Sequence, residues 1–292
     1  MLKRMALALI ATVGISLFTA PFTAAQDDAV QSGYASVNGL EMYYEIQGTG
    51  DPLVVIHGSF MSIESMGEIV PRLAETRQVI AVELQGHGRT GDIDRALSPD
   101  LLADDVAALL QELEIEQADI FGYSLGGAVA LHMGIRHPEM VRKLVVVSAN
   151  YTLEGWYPEL TGFMETISPD IFAGSPIETE YKSLAPDPDG LPILVSKIQQ
   201  LATNLQAIPD ESIQAITAPS FIMLGDSDNV RPEHALDLFK LLGGGVPGDL
   251  VGLPSSQLAM IPGATHTSIL SRVDVLVALT VEFLDAPLPE AE

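Results

Sequence analysis

Six residues, Gly122-Tyr123-Ser124-Leu125-Gly126-Gly127, limit what this chain can fold into more than any other stretch. Residues 118–121 read as a buried strand and residues 125–136 as a helix, so a serine stands at a strand-to-helix junction. An abrupt turn of that kind forces its corner residue into a strained backbone conformation. Neighbours two positions either side must then lack side chains for the backbones to pass. Gly122 and Gly126 satisfy that demand. The strain pushes the Ser124 hydroxyl out at the carboxyl end of the sheet, and the helix behind it aims free N–H groups at any oxyanion formed nearby. A bare G-x-S-x-G pattern arises by chance in glycine-containing loops; the strand before it and the helix after it make Ser124 the predicted nucleophile.

The rest of the chain supplies the sheet that such a junction needs. Residues 35–38 and 40–47 alternate around Asn38-Gly39, a dipeptide that tolerates positive φ at both centres of a tight hairpin turn. Apolar runs follow at residues 53–56, 79–82, 120–121, 144–147, 221–224 and 258–261. Strands apolar on both faces belong inside a parallel sheet covered by helices. Helices are expected at residues 63–75, 125–136, 232–242 and 273–284. Another follows Ser98-Pro99-Asp100, with Leu102, Val106, Leu109, Leu110 and Leu113 on its buried face and Asp105 and Glu112 away from it. The predicted fold is α/β, a mostly parallel central sheet of about eight strands flanked by helices.

One interval breaks the alternation. About 65 residues separate the strand ending near Ser148 from the one starting near Pro219, and they contain Pro158, Pro169, Pro176, Pro186, Pro188 and Pro192 and short helical patterns such as residues 191–205. A structureless loop of that length is improbable, so residues 151–215 are expected to form a helical cap inserted into a core of residues 26–150 and 216–292. Trp156, with Tyr157, Phe163 and Met164, is expected to line a pocket beneath the cap or to pack it on the core. Residues 243–255, rich in glycine and proline, read as a surface connection.

Residues 1–25 combine Lys3 and Arg4, an apolar run through Phe18 and the small residues Thr23-Ala24-Ala25. This is the pattern of a cleavable signal peptide, and the run is too short for a membrane anchor. The reading is an exported protein, periplasmic or extracellular, with no stable membrane anchor. There is no cysteine, hence no disulfide and no lipid-modified cysteine. Without residues 1–25, 12 basic residues face 39 acidic ones, a formal charge of −27. Nucleic acid is excluded as a partner, because phosphate binding needs clustered Lys and Arg. The expected partner is a small-molecule substrate, and the sequence leaves the oligomeric state open.

A serine hydroxyl needs a base, and the base needs a group that fixes its tautomer. Of six histidines, His132, His137 and His234 lie in or beside helices and read as surface or packing residues; His57 and His87 sit in loops where tying backbone together is the expected role. His266, directly after the last strand, is the best candidate base. For the orienting acid, Asp226 and Asp228 compete in the loop after residues 221–224. Either gives the order Ser, Asp, His.

With these residues in place the sequence resembles the α/β-hydrolase family from about residue 37 to residue 284. The resemblance rests on His57-Gly58, the Gly122 to Gly126 elbow, Gly225-x-x-Asp228 and Pro262-Gly263-x-x-His266. It implies an oxyanion hole made by the N–H groups of Ser59 and Leu125, and its Gly-x-x-Asp spacing favours Asp228 over Asp226. Phe60, Tyr123 and Trp156 are the expected substrate-binding side chains. One stretch departs from the family: many members have Asp-x-x-Gly-x-Gly-x-Ser where this chain has Glu83-Leu84-Gln85-Gly86-His87-Gly88-Arg89-Thr90. Serine at the elbow speaks against the dehalogenase and epoxide hydrolase branches. The resulting expectation is a secreted serine hydrolase cleaving a carboxylic ester or related acyl compound through an acyl-enzyme, with no cofactor and no metal. A carbon–carbon bond hydrolase or cofactor-free perhydrolase would use the same triad. A non-catalytic binding protein would be expected to lack a catalytic position, and none is lacking.

Overall fold

The computed structural model describes residues 30–288; the expected signal peptide lies outside the described residues. β1 (Gln31–Val37) and β2 (Leu40–Gln47) form the hairpin, with Asn38 at φ 48° and Gly39 at φ 88° in its turn. Then come β3 (Pro52–Ile56), α1 (Ile69–Ala74), β4 (Gln78–Val82), α2 (Pro99–Glu112), β5 (Ala118–Tyr123), α3 (Leu125–Arg136) and β6 (Val141–Val147). Four helices intervene before the next strand: α4 (Pro158–Thr166), α5 (Pro176–Leu184), α6 (Leu191–Thr203) and α7 (Asp210–Gln214). β7 (Ser220–Ser227), α8 (Pro232–Leu241), α9 (Gly248–Val251), β8 (Gln257–Thr265) and α10 (Val273–Asp285) complete the chain.

The eight strands form one sheet in the order β1-β2-β4-β3-β5-β6-β7-β8. β2 runs antiparallel to β1 and β4, and every other pairing is parallel. Period-two alternation divides the core. Val54, Ile56, Ile120, Leu144, Val146, Ile222 and Leu224 pack with α2, α3 and α8 on one face. Leu53, Val55, Phe121, Val145, Val147, Phe221 and Met223 pack with α1 and α10 on the other. Both faces are covered, which is why the central strands are apolar throughout.

Three expectations need correction. The helix foreseen over residues 63–75 is a 3-10 turn at Glu64–Met66 followed by α1, because Gly67 at φ 57° breaks it and Pro71, with no N–H to offer, fits only a helix's first turn. Asp105 is buried rather than turned away from the core; Arg95 bonds both of its oxygens and Asn38 Nδ2 donates to it at 3.0 Å. The connection at residues 243–255 contains the one-turn α9.

Candidate active site

Ser124 stands between β5 and α3 at φ 55° and ψ −116°, a conformation that side chains bearing a Cβ rarely adopt. A Cβ on Gly122 would lie 2.0 Å from the Gly126 carbonyl oxygen, and one on Gly126 would lie 2.2 Å from that of Ile56. Only glycine lets α3 start this close to β5 and β3.

The loops after β7 and β8 bring the other two groups to the serine. His266 Nε2 lies 3.0 Å from Ser124 Oγ, and His266 Nδ1 lies 2.8 Å from Asp228 Oδ1. The Asp228 side chain is fully buried. Its Oδ2 accepts from Ser148 Oγ at 2.6 Å and from the Gly225 N–H at 3.1 Å, while Oδ1 also accepts the Val230 N–H at 3.1 Å. Burial alone would raise the Asp228 carboxyl, but the hydrogen bond and charge of His266, with the Ser148 and Val230 donors, hold it below the ordinary aspartate value. An ionised carboxylate can only accept. Nδ1 therefore carries the proton and Nε2 is left to accept from the Ser124 hydroxyl.

Asp226 is exposed and serves a different purpose. Both of its oxygens lie 2.9 Å from the Gly263 N–H, and Oδ1 also accepts from Ala264 N–H at 3.3 Å. Its backbone partners are thus on β8, just ahead of His266. The Gly263 N–H holds its carboxyl below the ordinary value.

Tyr123 borders the cavity beside Ser124, yet it is almost wholly buried, and its hydroxyl donates to the His266 carbonyl at 2.7 Å. Burial and the nearby Asp228 charge raise its phenol. The loop after β3 lies against the serine: a Cβ on Gly58 would come within 3.1 Å of Ser124 Cβ. Among the described residues, neither the Ser59 N–H nor the Leu125 N–H meets an acceptor. His57 is buried and ties this loop to the next, with Nδ1 2.7 Å from the Gly58 oxygen and Nε2 accepting the Leu84 N–H at 3.2 Å. His87 is buried too, with Nδ1 2.9 Å from the Gln85 oxygen and Nε2 unpartnered. His234 stacks on Tyr151 and accepts the Tyr151 N–H at 3.1 Å.

Glu83, where the chain departs from the family pattern, is held by its own loop. Its carboxylate is fully buried and accepts from the Arg89 N–H and from Arg89 Nη1 at 2.9 Å, occupying the space where a Cβ on Gly88 would fall. Burial pushes Glu83 up to about 7 against the pull of Arg89.

Two cavities flank Ser124. One, about 700 Å³, is walled by Phe60, Trp156, Phe163, Met164 and Phe172 among others, and also reaches His266 and Glu180. The second, about 60 Å³, lies among Leu125, Ala128, Ile198, Leu201 and Ala202 and shares Ser59, Trp156 and Met164 with the first. Phe60, held at φ 61°, packs on Phe172 with ring centroids 4.9 Å apart. Tyr157 lines neither cavity and is exposed. Ser148, Glu180 and Pro99, the last bordering the smaller cavity, are among the contributors that the sequence does not single out. Only the position of Ser148 after an apolar run hinted at a role. Among the described residues no group of three or more His, Cys, Asp or Glu is arranged to hold a metal ion, and no helix is long and apolar enough to cross a membrane.

Residues 51–176 match the family model of the α/β hydrolase fold. The chain is 38% identical over 115 residues to 2-hydroxymuconate semialdehyde hydrolase of Pseudomonas sp. (strain CF600), covering 38% of this chain and 41% of that protein. It is 29% identical over 256 residues to pimeloyl-[acyl-carrier protein] methyl ester esterase of Neisseria meningitidis, covering 81% of this chain and 77% of that one. Among solved structures, the meta-cleavage product hydrolase of Pseudomonas fluorescens IP01 superposes with a TM-score of 0.70 at 24% identity, over 87% of this chain and 97% of that one, a likeness of fold.

Proposed function

We propose that this chain, which belongs to the α/β-hydrolase fold family, is a serine hydrolase that cleaves carboxylic esters through an acyl-enzyme. The observation that carries this reading is the continuous chain of hydrogen bonds from Asp228 through His266 to Ser124, with the serine open to both cavities. Ser124 Oγ attacks the ester carbonyl as His266 Nε2 takes its proton, and Asp228 stabilises the imidazolium. The N–H groups of Ser59 and Leu125 donate to the oxyanion. Collapse breaks the bond to the alcohol oxygen, which leaves with the proton from His266. A water, deprotonated by the same Nε2, then attacks the acyl-enzyme and releases the acid and the free serine.

The muconate-derived substrate named for one relative brings a second reading, hydrolysis of a carbon–carbon bond. Wall chemistry favours esters: neither cavity is lined by Lys or Arg, and the larger carries Glu180, so a substrate bearing its own carboxylate finds no counter-charge. A panel of neutral esters and a muconate-type semialdehyde, run beside a serine-directed phosphonate, separates the two. Ester turnover and stoichiometric labelling are expected, both abolished in Ser124→Ala. Labelling at an undiminished rate in that variant would refute the nucleophile assignment, and turnover of the semialdehyde alone would refute the ester reading.

We also propose export, from the charged, apolar and small-residue order of residues 1–25. The secreted protein should begin at Gln26 by N-terminal sequencing, and recovery of the intact chain only from the cytoplasm would exclude it.

A further inference from the structure

Resting on the reading of the site as an ester hydrolase, we propose that the larger cavity recognises an ester whose apolar portion carries an alkylammonium group, and that Glu180 is the residue that reads the cation. Glu180 lies on α5, half-buried, and among the described residues it is the one acidic side chain in the wall of the cavity that reaches Ser124. Its Oε1 accepts from Ser62 Oγ at 2.7 Å and from Ser65 Oγ, which fix the carboxylate at the wall; Oε2 has no protein donor among the described residues. The Ser62 hydroxyl also lies 2.9 Å from Glu64 Oε2, so its single proton is shared between two carboxylates and neutralises neither.

The neighbouring acids show what is missing. Arg89 serves both Glu64 and Glu83, Lys197 serves Asp92, and Arg95 serves Asp105. No cation among the described residues lies within 4.0 Å of Glu180. A partly desolvated carboxylate without a counter-ion is costly for a fold, and a ligand cation placed beside it gains more than it would in water. The same cavity presents the rings of Phe60, Trp156, Phe163 and Phe172, whose faces attract ammonium groups. A neutral apolar group can enter but leaves Glu180 unpaired, and an anion is repelled. The chain's formal charge of −25 attracts cations everywhere, but salt screens that long-range attraction, whereas the Glu180 contribution is local.

The test uses pairs of esters that differ only in a terminal trimethylammonium against its uncharged isostere, a tert-butyl group, carried on short, medium and long alkyl spacers. With the purified protein at physiological ionic strength, kcat/KM for the cationic partner should exceed that of the neutral one by about tenfold at one spacer length or more. In Glu180→Gln the ratio should fall to within about twofold of unity. Glu165→Gln, an exposed acid on α4 outside the cavity wall, should keep the wild-type ratio. Butyltrimethylammonium should inhibit hydrolysis of the neutral ester competitively, about tenfold more weakly in Glu180→Gln. This second measurement needs only residual activity, so it holds even if the variant is less stable. No cation preference at any spacer, a preference that survives in Glu180→Gln, or an unchanged inhibition constant would overturn the assignment. Failure of the wild type to turn over any ester would instead sink the ester reading beneath it.

Discussion

Asp226 and Asp228 stand two positions apart on one loop, and what separates them is what each can reach. Asp228 is buried and meets the His266 ring, the Ser148 hydroxyl and two N–H groups; Asp226 is exposed and holds the N–H groups of Gly263 and Ala264. Asp228→Asn keeps the shape but lets an amide donate to Nδ1, turning the ring to the wrong tautomer. Its kcat on the best ester is expected to fall by roughly 10²- to 10⁴-fold, with folding confirmed by circular dichroism. Asp226→Asn should keep most of the wild-type kcat and show its effect as a lower denaturation midpoint, because it loosens the β7–β8 junction. A nearly inactive Asp226→Asn beside a nearly normal Asp228→Asn would reverse the assignment. Ser124 and His266 were legible in the sequence because each sits in a local pattern that names its own backbone context. Ser148 was not, since its bond to Asp228 spans 80 positions and a serine after a strand has many uses. Nor was the Asp226 clamp, whose partners come 37 and 38 positions later.

The stretch between β6 and β7 is tied to the core at particular points. Trp156 bridges Val230 in antiparallel fashion and the Arg231 N–H donates to the Gly155 oxygen at 2.8 Å, so the start of the stretch is stitched to the loop that carries Asp228. Lys197 on α6 reaches Asp92 and the carbonyls of Ile93 and Arg95. Helical periodicity made α6 legible, with Leu191, Leu194, Val195, Ile198 and Ala202 all buried. The anchors were not, because they join residues distant in sequence. Trp156 borders both the larger cavity and the smaller one, as does Met164. Trp156→Ala is expected to merge them: kcat/KM should rise several-fold for bulky acyl groups relative to acetyl, while stability falls by only about 1–2 kcal/mol, because the indole is half-buried and its backbone bridge remains. An unchanged acyl profile with a loss of about 3 kcal/mol or more would mean that the ring only packs.

The sheet was legible strand by strand, since a run covered by helices on both sides must be apolar on both sides, and no turn or cap is needed to see it. What composition concealed is how the folded molecule holds its titratable groups. Burial holds His57 at about 3, His87 at about 4 and His234 at about 4, all well below the ordinary imidazole value of 6.5. Each ring is neutral in the fold and protonated in the unfolded chain below pH 6.5. The stability that comes from keeping it neutral is therefore present above that pH and is lost as pH falls towards about 4. Glu83 acts in the opposite sense. Its folded value of about 7 lies above the ordinary 4.5, so the fold holds a proton that the unfolded chain has released, and its contribution is lost as pH rises through about 7. Between pH 4.5 and 6.5 these four groups together bind about two protons more in the unfolded chain than in the folded one, three at the histidines less one at Glu83, and His132, which burial also lowers, acts on the same side as the histidines. Unfolding free energy should rise with pH across that window by about 2–3 kcal/mol per unit. Acidification also relieves the excess of acidic side chains, which opposes this trend, but that repulsion is screened by salt and the buried rings are not. Urea midpoints should be taken through the window at high ionic strength, for the wild type and for Glu83→Gln. The wild type should lose stability steadily on acidification, and the variant, without the opposing group, should lose it more steeply, by about one further proton. Midpoints that stay flat from pH about 6.5 down to about 5 would show that the buried imidazoles are not held neutral by the fold.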